Sequence, residues 1–149
     1  TIDELKIKID KKSRLLGLDL GSKKIGLSIC DDKRSIATPF KTLKKDDFDK
    51  FIIELKNIIR ENNIRGIIVG NPINMDGSFG PASQSVNDYC KNILKKIDIP
   101  LCLWDERLST VGAFNLSSQL DVNVSKREKK IDENAAAFIL QGAIDFLNN

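Results

Sequence analysis

The chain contains no histidine. That absence excludes Ser-His-Asp and Cys-His catalysis, histidine-ligated zinc and histidine proton shuttles. Acid-base or metal chemistry must therefore draw on the 21 carboxylates, the lysines or the single tyrosine. Cysteine is also scarce. The three thiols, Cys30, Cys90 and Cys102, are odd in number, form no C-x-x-C and sit in apolar contexts. They are expected to be buried thiols in a reducing compartment. No apolar run approaches the roughly 20 residues of a membrane span, and TIDELKIKIDKK at the N-terminus lacks a signal-peptide core. The expected location is the cytoplasm, with no membrane partner.

What is present is ordinary soluble composition. Of 149 residues, 41% are hydrophobic and 30% charged. This length suits one domain over 1–149, burying roughly 70% of its unfolded surface without disulfides or structural metal. A net charge of +3 permits nucleic-acid binding without requiring it.

Residues 15–21, LLGLDLG, read as a buried strand with one carboxylate in it. Strand alternation puts Leu16, Leu18 and Leu20 on one face, and Leu15, Gly17, Asp19 and Gly21 on the other. Asp19 is thus flanked by glycines on its own face. A carboxylate there costs several kcal/mol unless a donor, a basic group or a metal compensates it. An Asp that merely begins a turn at Asp-Leu-Gly is an equally good account of this stretch taken alone.

Further along, a tight Gly-Ser-Lys-Lys turn leads into a second strand, IGLSIC, and SIATPFKTL is a third, completing a meander, with Pro39 favouring an edge or a strand end. DDFDKFIIELKNIIRENN has Phe48, Phe51, Ile52, Leu55, Ile58 and Ile59 at helical spacing after an acidic first turn. RGIIVGNP is a short buried strand, followed by the loop NMDGSFG. A helix after Pro81 carries Val86, Tyr89, Cys90, Ile93, Leu94 and Ile97 on one face. IPLCLWDERL reads as a strand with Glu106 at its end. A helix over TVGAFNLSSQL follows, capped by Ser109 or Thr110, then a polar basic linker, DVNVSKREKK, and a last helix opened by Asp132. The order βββ, α, β, α, β, α, α predicts an α/β fold: a mixed five-stranded sheet, three strands antiparallel and two parallel, with helices on both faces.

Three carboxylates stand at element ends in this arrangement: Asp19, Glu106 and Asp132. Asp132, Ala135, Ala136, Ile139 and Ala143 form one helical stripe, and the alanines let that helix lie close to the sheet. Three converging carboxylates make a hard-oxygen site for Mg²⁺ or Mn²⁺. Two such ions activate water and stabilise the leaving oxygen of a phosphodiester. Each acid also has a plainer account: Glu106 as a surface ion pair with Arg107, Asp132 as an acid answering the helix dipole. Lys23, Lys24, Arg107, Lys126 and Arg127, with Lys129 and Lys130, bracket the acids. They are either phosphate-attracting or solvated charge. The loop GNPINMDGSFGP, with its three glycines, either approaches a nucleic-acid backbone or simply connects strand to helix.

GLDLGSKKIGLSIC, GNPINMDGSFGPASQSV, WDERLST and KKIDENAAAFILQ, in this order over about Leu15 to Gln141, resemble the YqgF family of the RNase H-like superfamily. That family is described both as Holliday-junction resolvases and as pre-16S rRNA nucleases. The resemblance implies an RNase H-like fold, catalytic and metal-binding roles for Asp19, Glu106 and Asp132, and hydrolysis of phosphodiesters with divalent metal. It also implies maturation of the 5′ end of small-subunit ribosomal RNA, with a structured precursor rRNA as partner. A branched-DNA resolvase is the alternative within the same chemistry. A non-catalytic RNA-binding module in ribosome assembly is the alternative outside it, as a monomer or homodimer in any of these cases. One departure is notable: the family commonly has Lys-Arg before Ile-Gly, and this chain has Lys23-Lys24. Lysine keeps the charge but loses the planar fork that grips phosphate. GLDLG with a lysine-rich hairpin also resembles the phosphate loop of sugar kinases and actin-like ATPases, which need two such domains where this length supplies one.

Overall fold

A computed structural model describes residues 14–74, 76–105 and 124–148, with side chains from residue 134 onward in the last of these segments. Strand β1, Arg14–Leu20, is its axis. Strand β2, Lys24–Cys30, pairs antiparallel with β1, and β3, Ala37–Lys44, pairs antiparallel with β2. On the other side of β1 lie β4, Ile64–Asn71, and β5, Leu101–Asp105, both parallel. The sheet order is β3-β2-β1-β4-β5, the expected meander plus two parallel strands. Pro39 does lie on an edge strand. It pairs with Ser28 where the β2–β3 register shifts, so its missing N–H interrupts a ladder that is already irregular.

Alternation along β1 separates two cores. Leu16 and Leu18 join Ile25, Leu27, Ile67 and Val69 on one face. Helix α1, Phe48–Glu61, covers that face with Phe51, Ile52, Leu55 and Ile58, and α2, Pro81–Leu94, covers it with Val86, Cys90 and Ile93. Asp47 caps α1, its Oδ1 accepting from the Lys50 N–H at 3.1 Å. On the opposite face Leu15, Ile68, Cys102 and Trp104 pack against Ile139, Leu140, Ala143 and Ile144 of α3, Val124–Asn148. All three cysteines are buried free thiols, as their apolar contexts suggest.

Two expectations are corrected here. Leu94 is 47% exposed, because the buried stripe of α2 runs through Ser83, Val86, Cys90 and Ile93, and Leu94 lies off it. The supposed linker is helical from Val124, so Asp132 lies well inside α3 and does not open it. Lys126, Arg127, Glu128, Lys129 and Lys130 are all good helix formers without Gly or Pro, so polarity alone misleads there. Glu106, Arg107 and the expected helix over TVGAFNLSSQL lie outside the described residues.

Candidate active site

Asp19 occupies a half-buried position near the C-terminal end of β1. The side-chain direction follows from its neighbours. Leu16 and Leu18 point into the α1–α2 core, so Gly17 and Asp19 point to the face carrying α3. In β2, Gly26 stands opposite Asp19. In β4, Gly70 comes one step beyond the last parallel pair, Leu18 with Val69. Gly17 and Gly21 lie two residues before and after it in the chain. Four glycines therefore surround one carboxylate, two along its strand and two across the sheet. None of the four places a side chain beside Asp19, and the space at Gly17 is taken up by α3.

Helix α3 crosses this face at close range. Ser28 Oγ donates to the Ala136 carbonyl at 2.7 Å. A Cβ placed on Gly17 would come within 2.8 Å of Leu140 Cβ and 2.9 Å of the Ala136 carbonyl oxygen. Only a glycine lets the helix sit there. The direction of α3 is set by its other end. Gln141 Oε1 accepts from the Ala37 N–H at 2.8 Å, Gln141 Nε2 donates to the Ser35 carbonyl at 3.0 Å, and Asn148 Nδ2 donates to the Arg34 carbonyl at 2.9 Å. These anchors tie the C-terminal half of α3 to the β2–β3 turn. The N-terminal half consequently runs toward the end of β1 that carries Asp19. Position 132 lies one turn before Ala136, roughly 6 Å up the helix. Asp19 lies two residues beyond Gly17, roughly 7 Å along the strand. The backbone thus carries the two positions in the same direction from their shared contact.

The β2–β3 turn that anchors α3 is itself organised by a carboxylate. Asp31 Oδ1 accepts from the Ser35 and Ile36 N–H groups at 2.7 and 3.0 Å, and Oδ2 accepts from Ser35 Oγ at 2.8 Å. These donors, Ile36 foremost, hold the Asp31 carboxyl down to about 2. Arg34 adopts a left-handed φ of 53° within this turn, and the residue is buried.

The basic residues divide. Lys23, in the β1–β2 turn, and Lys24, the first residue of β2, are exposed three and four residues beyond Leu20, the last residue paired in β1, and lie close to Asp19 along the sheet. Lys126 and Arg127 belong to the N-terminal turns of α3, upstream of position 132. Lys44 and Lys45 join Lys23 and Lys24 at the same edge, and the chain-order reading overlooked them. Their signal was the KTLKK run at the end of β3, legible only once β3 is known to pair with β2. The glycine-rich loop after β4 is closed on itself: Asn74 N–H donates to the Ser78 carbonyl at 3.0 Å, and Asp76 Oδ1 accepts from Ser78 N–H at 2.9 Å. At its base the buried Asn71 Oδ1 accepts from Ser83 Oγ at 2.7 Å. Among the described residues, no three acids or thiols group as metal ligands.

Residues 13–146 match the family model RuvX, described as Holliday junction resolvase. A protein of Pelagibacter ubique (strain HTCC1062) named "Putative pre-16S rRNA nuclease" is 70% identical over 149 residues, spanning 100% of this chain and 99% of its own length. A protein of the same name from Chelativorans sp. (strain BNC1) is 47% identical, covering 89% of this chain and 83% of its own. Among solved structures, Thermus thermophilus RuvC in complex with a Holliday junction superposes with a TM-score of 0.54 at 8% identity, over 91% of this chain and 96% of that one. The fowlpox virus resolvase with substrate Holliday junction DNA gives 0.54 at 10% identity, over 91% and 99%. At such identities these structures speak to the fold alone, which is the RNase H-like sheet with its flanking helices.

Proposed function

The chain belongs to the RuvX (YqgF) family, and on that premise we propose that it is a divalent-metal-dependent nuclease that processes the 5′ end of precursor 16S ribosomal RNA. The observation that carries this reading is Asp19: a half-buried carboxylate ringed by four glycines, on the sheet face crossed by the helix that bears Asp132. An acid at the C-terminal end of a central strand lies where open α/β sheets receive their ligands.

The donor chemistry fits hard cations. Carboxylate oxygens suit Mg²⁺ or Mn²⁺, and a chain without histidine offers no imidazole ligand. Asp19, Glu106 and Asp132 would hold the metal, two ions if all three acids share the load. When bound, the metal supplies a nucleophilic water at neutral pH and neutralises charge on the leaving oxygen. The chain's own part is positioning. Gly17 and the Ser28–Ala136 contact fix how near α3 comes to the strand bearing Asp19, and Lys23, Lys24, Arg107, Lys126 and Arg127 draw the phosphate backbone in. Phosphodiester hydrolysis without a covalent enzyme intermediate needs no residue beyond these classes.

One preparation of the protein should be given a structured 16S rRNA precursor and a four-way DNA junction, each with Mg²⁺ and with Mn²⁺. Cleavage of the RNA at its 5′ side, absent in Asp19→Asn, is the expected result. Resolution of the junction in preference to the RNA would replace the substrate while keeping the chemistry. Tight RNA binding with no cleavage of either substrate would make the chain a non-catalytic assembly module and overturn the proposal.

A further inference from the structure

At the end of the β2–β3 ladder two lysines stand directly opposite one another: Lys24 of β2 pairs with Lys44 of β3. Like charges in facing positions of an antiparallel pair destabilise it. No ion pair relieves these two among the described residues, nor their neighbours Lys23 and Lys45. Together with Ser22 and Asp46 the four lysines line an open groove of about 440 Å³. Four cations against one carboxylate give the groove itself a net positive charge, with Asp47 and Glu54 lying in the neighbouring cavity past Lys44.

The register fixes where this groove faces. Gly26 pairs with Asp19 on one side and with Thr42 on the other. Two residues further along the same strands come Lys24 and Lys44. Alternation returns their side chains to the face of Asp19, roughly 7 Å farther along. Gly21, whose N–H donates to the Lys24 carbonyl at 2.9 Å, closes the turn between them and the acid. Lys45 does something different. Its Nζ donates to the Gly21 carbonyl at 3.0 Å and lies 5.0 Å from the Tyr89 ring centroid, while its N–H donates to the Lys23 carbonyl at 3.0 Å. It latches the β1–β2 turn to the end of β3, so the backbone under the groove is held before any ligand arrives and its ordering does not oppose binding.

We propose that this groove is a phosphate track, in which Lys24 and Lys44 clamp the sugar-phosphate backbone of the strand leading to Asp19, and Lys45 is the positioning residue that holds the turn in place. The ligand class is a nucleic-acid phosphodiester backbone. Its link to cleavage rests on the nuclease reading; its phosphate chemistry does not.

The test is equilibrium binding of the full-length protein to a structured RNA precursor and to a four-way DNA junction, between 50 and 200 mM salt. Wild type is compared with Lys24→Ala/Lys44→Ala and with Lys56→Ala/Lys95→Ala, a control that removes two exposed lysines from α1 and from the end of α2. Loss of two phosphate contacts flattens the plot of log affinity against log salt by roughly 1 to 2, so the fall in affinity across this fourfold salt range shrinks by roughly 4- to 16-fold. The control keeps the wild-type slope. A second readout guards against misfolding: Lys44→Thr removes the opposed charge and should melt at or above the wild-type temperature while showing the flattened slope. Equal slopes in the clamp variant and the control overturn the phosphate track, whatever the nuclease assay gives. Lysine-dependent binding without cleavage by wild type removes the nuclease reading and leaves the track standing. Failure of wild type to bind either nucleic acid removes both.

Discussion

Ser28 Oγ and the Ala136 carbonyl, 108 positions apart in sequence, meet at 2.7 Å directly above Gly17. This contact sets the distance between α3 and the strand that carries Asp19. Gly17→Ala should therefore force the helix outward. Overpacking of this kind costs about 1–3 kcal/mol, and Ser28→Ala, which removes a second donor to a carbonyl that keeps its helical partner, about 1 kcal/mol. The informative comparison is between them and cleavage: Gly17→Ala should lose far more activity than its melting shift explains, since it displaces α3 relative to β1. Activity falling only in proportion to stability would detach α3 from the site.

Asp19→Asn should abolish cleavage without unfolding the chain. The amide has the carboxylate's shape and lacks its charge. Losing several kcal/mol of metal-assisted stabilisation corresponds to a rate loss of about a hundredfold or more. Melting in the absence of metal should be unchanged or slightly higher, since the amide relieves repulsion among the carboxylates of the proposed metal site. Purified Asp19→Asn protein that cuts at the wild-type rate would remove Asp19 from the catalytic set.

Divalent ions should raise the melting temperature by binding linkage. At 100 times Kd the gain is about 2.7 kcal/mol. The shift with Mn²⁺ should be largest for wild type and smaller for Glu106→Gln and Asp132→Asn. An undiminished shift in either variant takes that residue out of the metal set.

Asp31 gives a pH signature. Its carboxyl is held at about 2, below its ordinary 3.8, by the Ile36 and Ser35 donors. A depressed carboxyl contributes stability that is fully present above the unfolded value and is lost as pH falls through the folded one. Wild type should therefore exceed Asp31→Ala in melting temperature at pH 5 to 7, and the gap should close between about pH 4 and pH 2. Because this turn anchors α3 through Gln141 and Asn148, the variant should also show faster hydrogen exchange in the C-terminal half of that helix. A gap constant down to pH 2 would assign the effect to something other than the carboxylate.

Much of this was written locally. Alternation in LLGLDLG sets Asp19 on the face opposite Leu16 and Leu18, and the spacing of Phe51, Ile52, Leu55 and Ile58 announces α1 and its buried side, because a strand's period of two and a helix's period near 3.6 are properties of a short stretch of chain. The odd cysteines and the edge proline were legible for the same reason. Tertiary structure alone decided the rest. That Gly26 and Gly70 flank Asp19 across the sheet follows from strand register, and that Lys24 meets Lys44 follows from the β2–β3 pairing. Where α3 begins was hidden by the polarity of KREKK, which reads as a linker but propagates as helix once packing of the alanine stripe on β1 and β2 has supplied the nucleus. Local periodicity can say which residues share a face. Which faces meet is fixed by contacts between residues far apart in the chain, and no short window of sequence contains both partners.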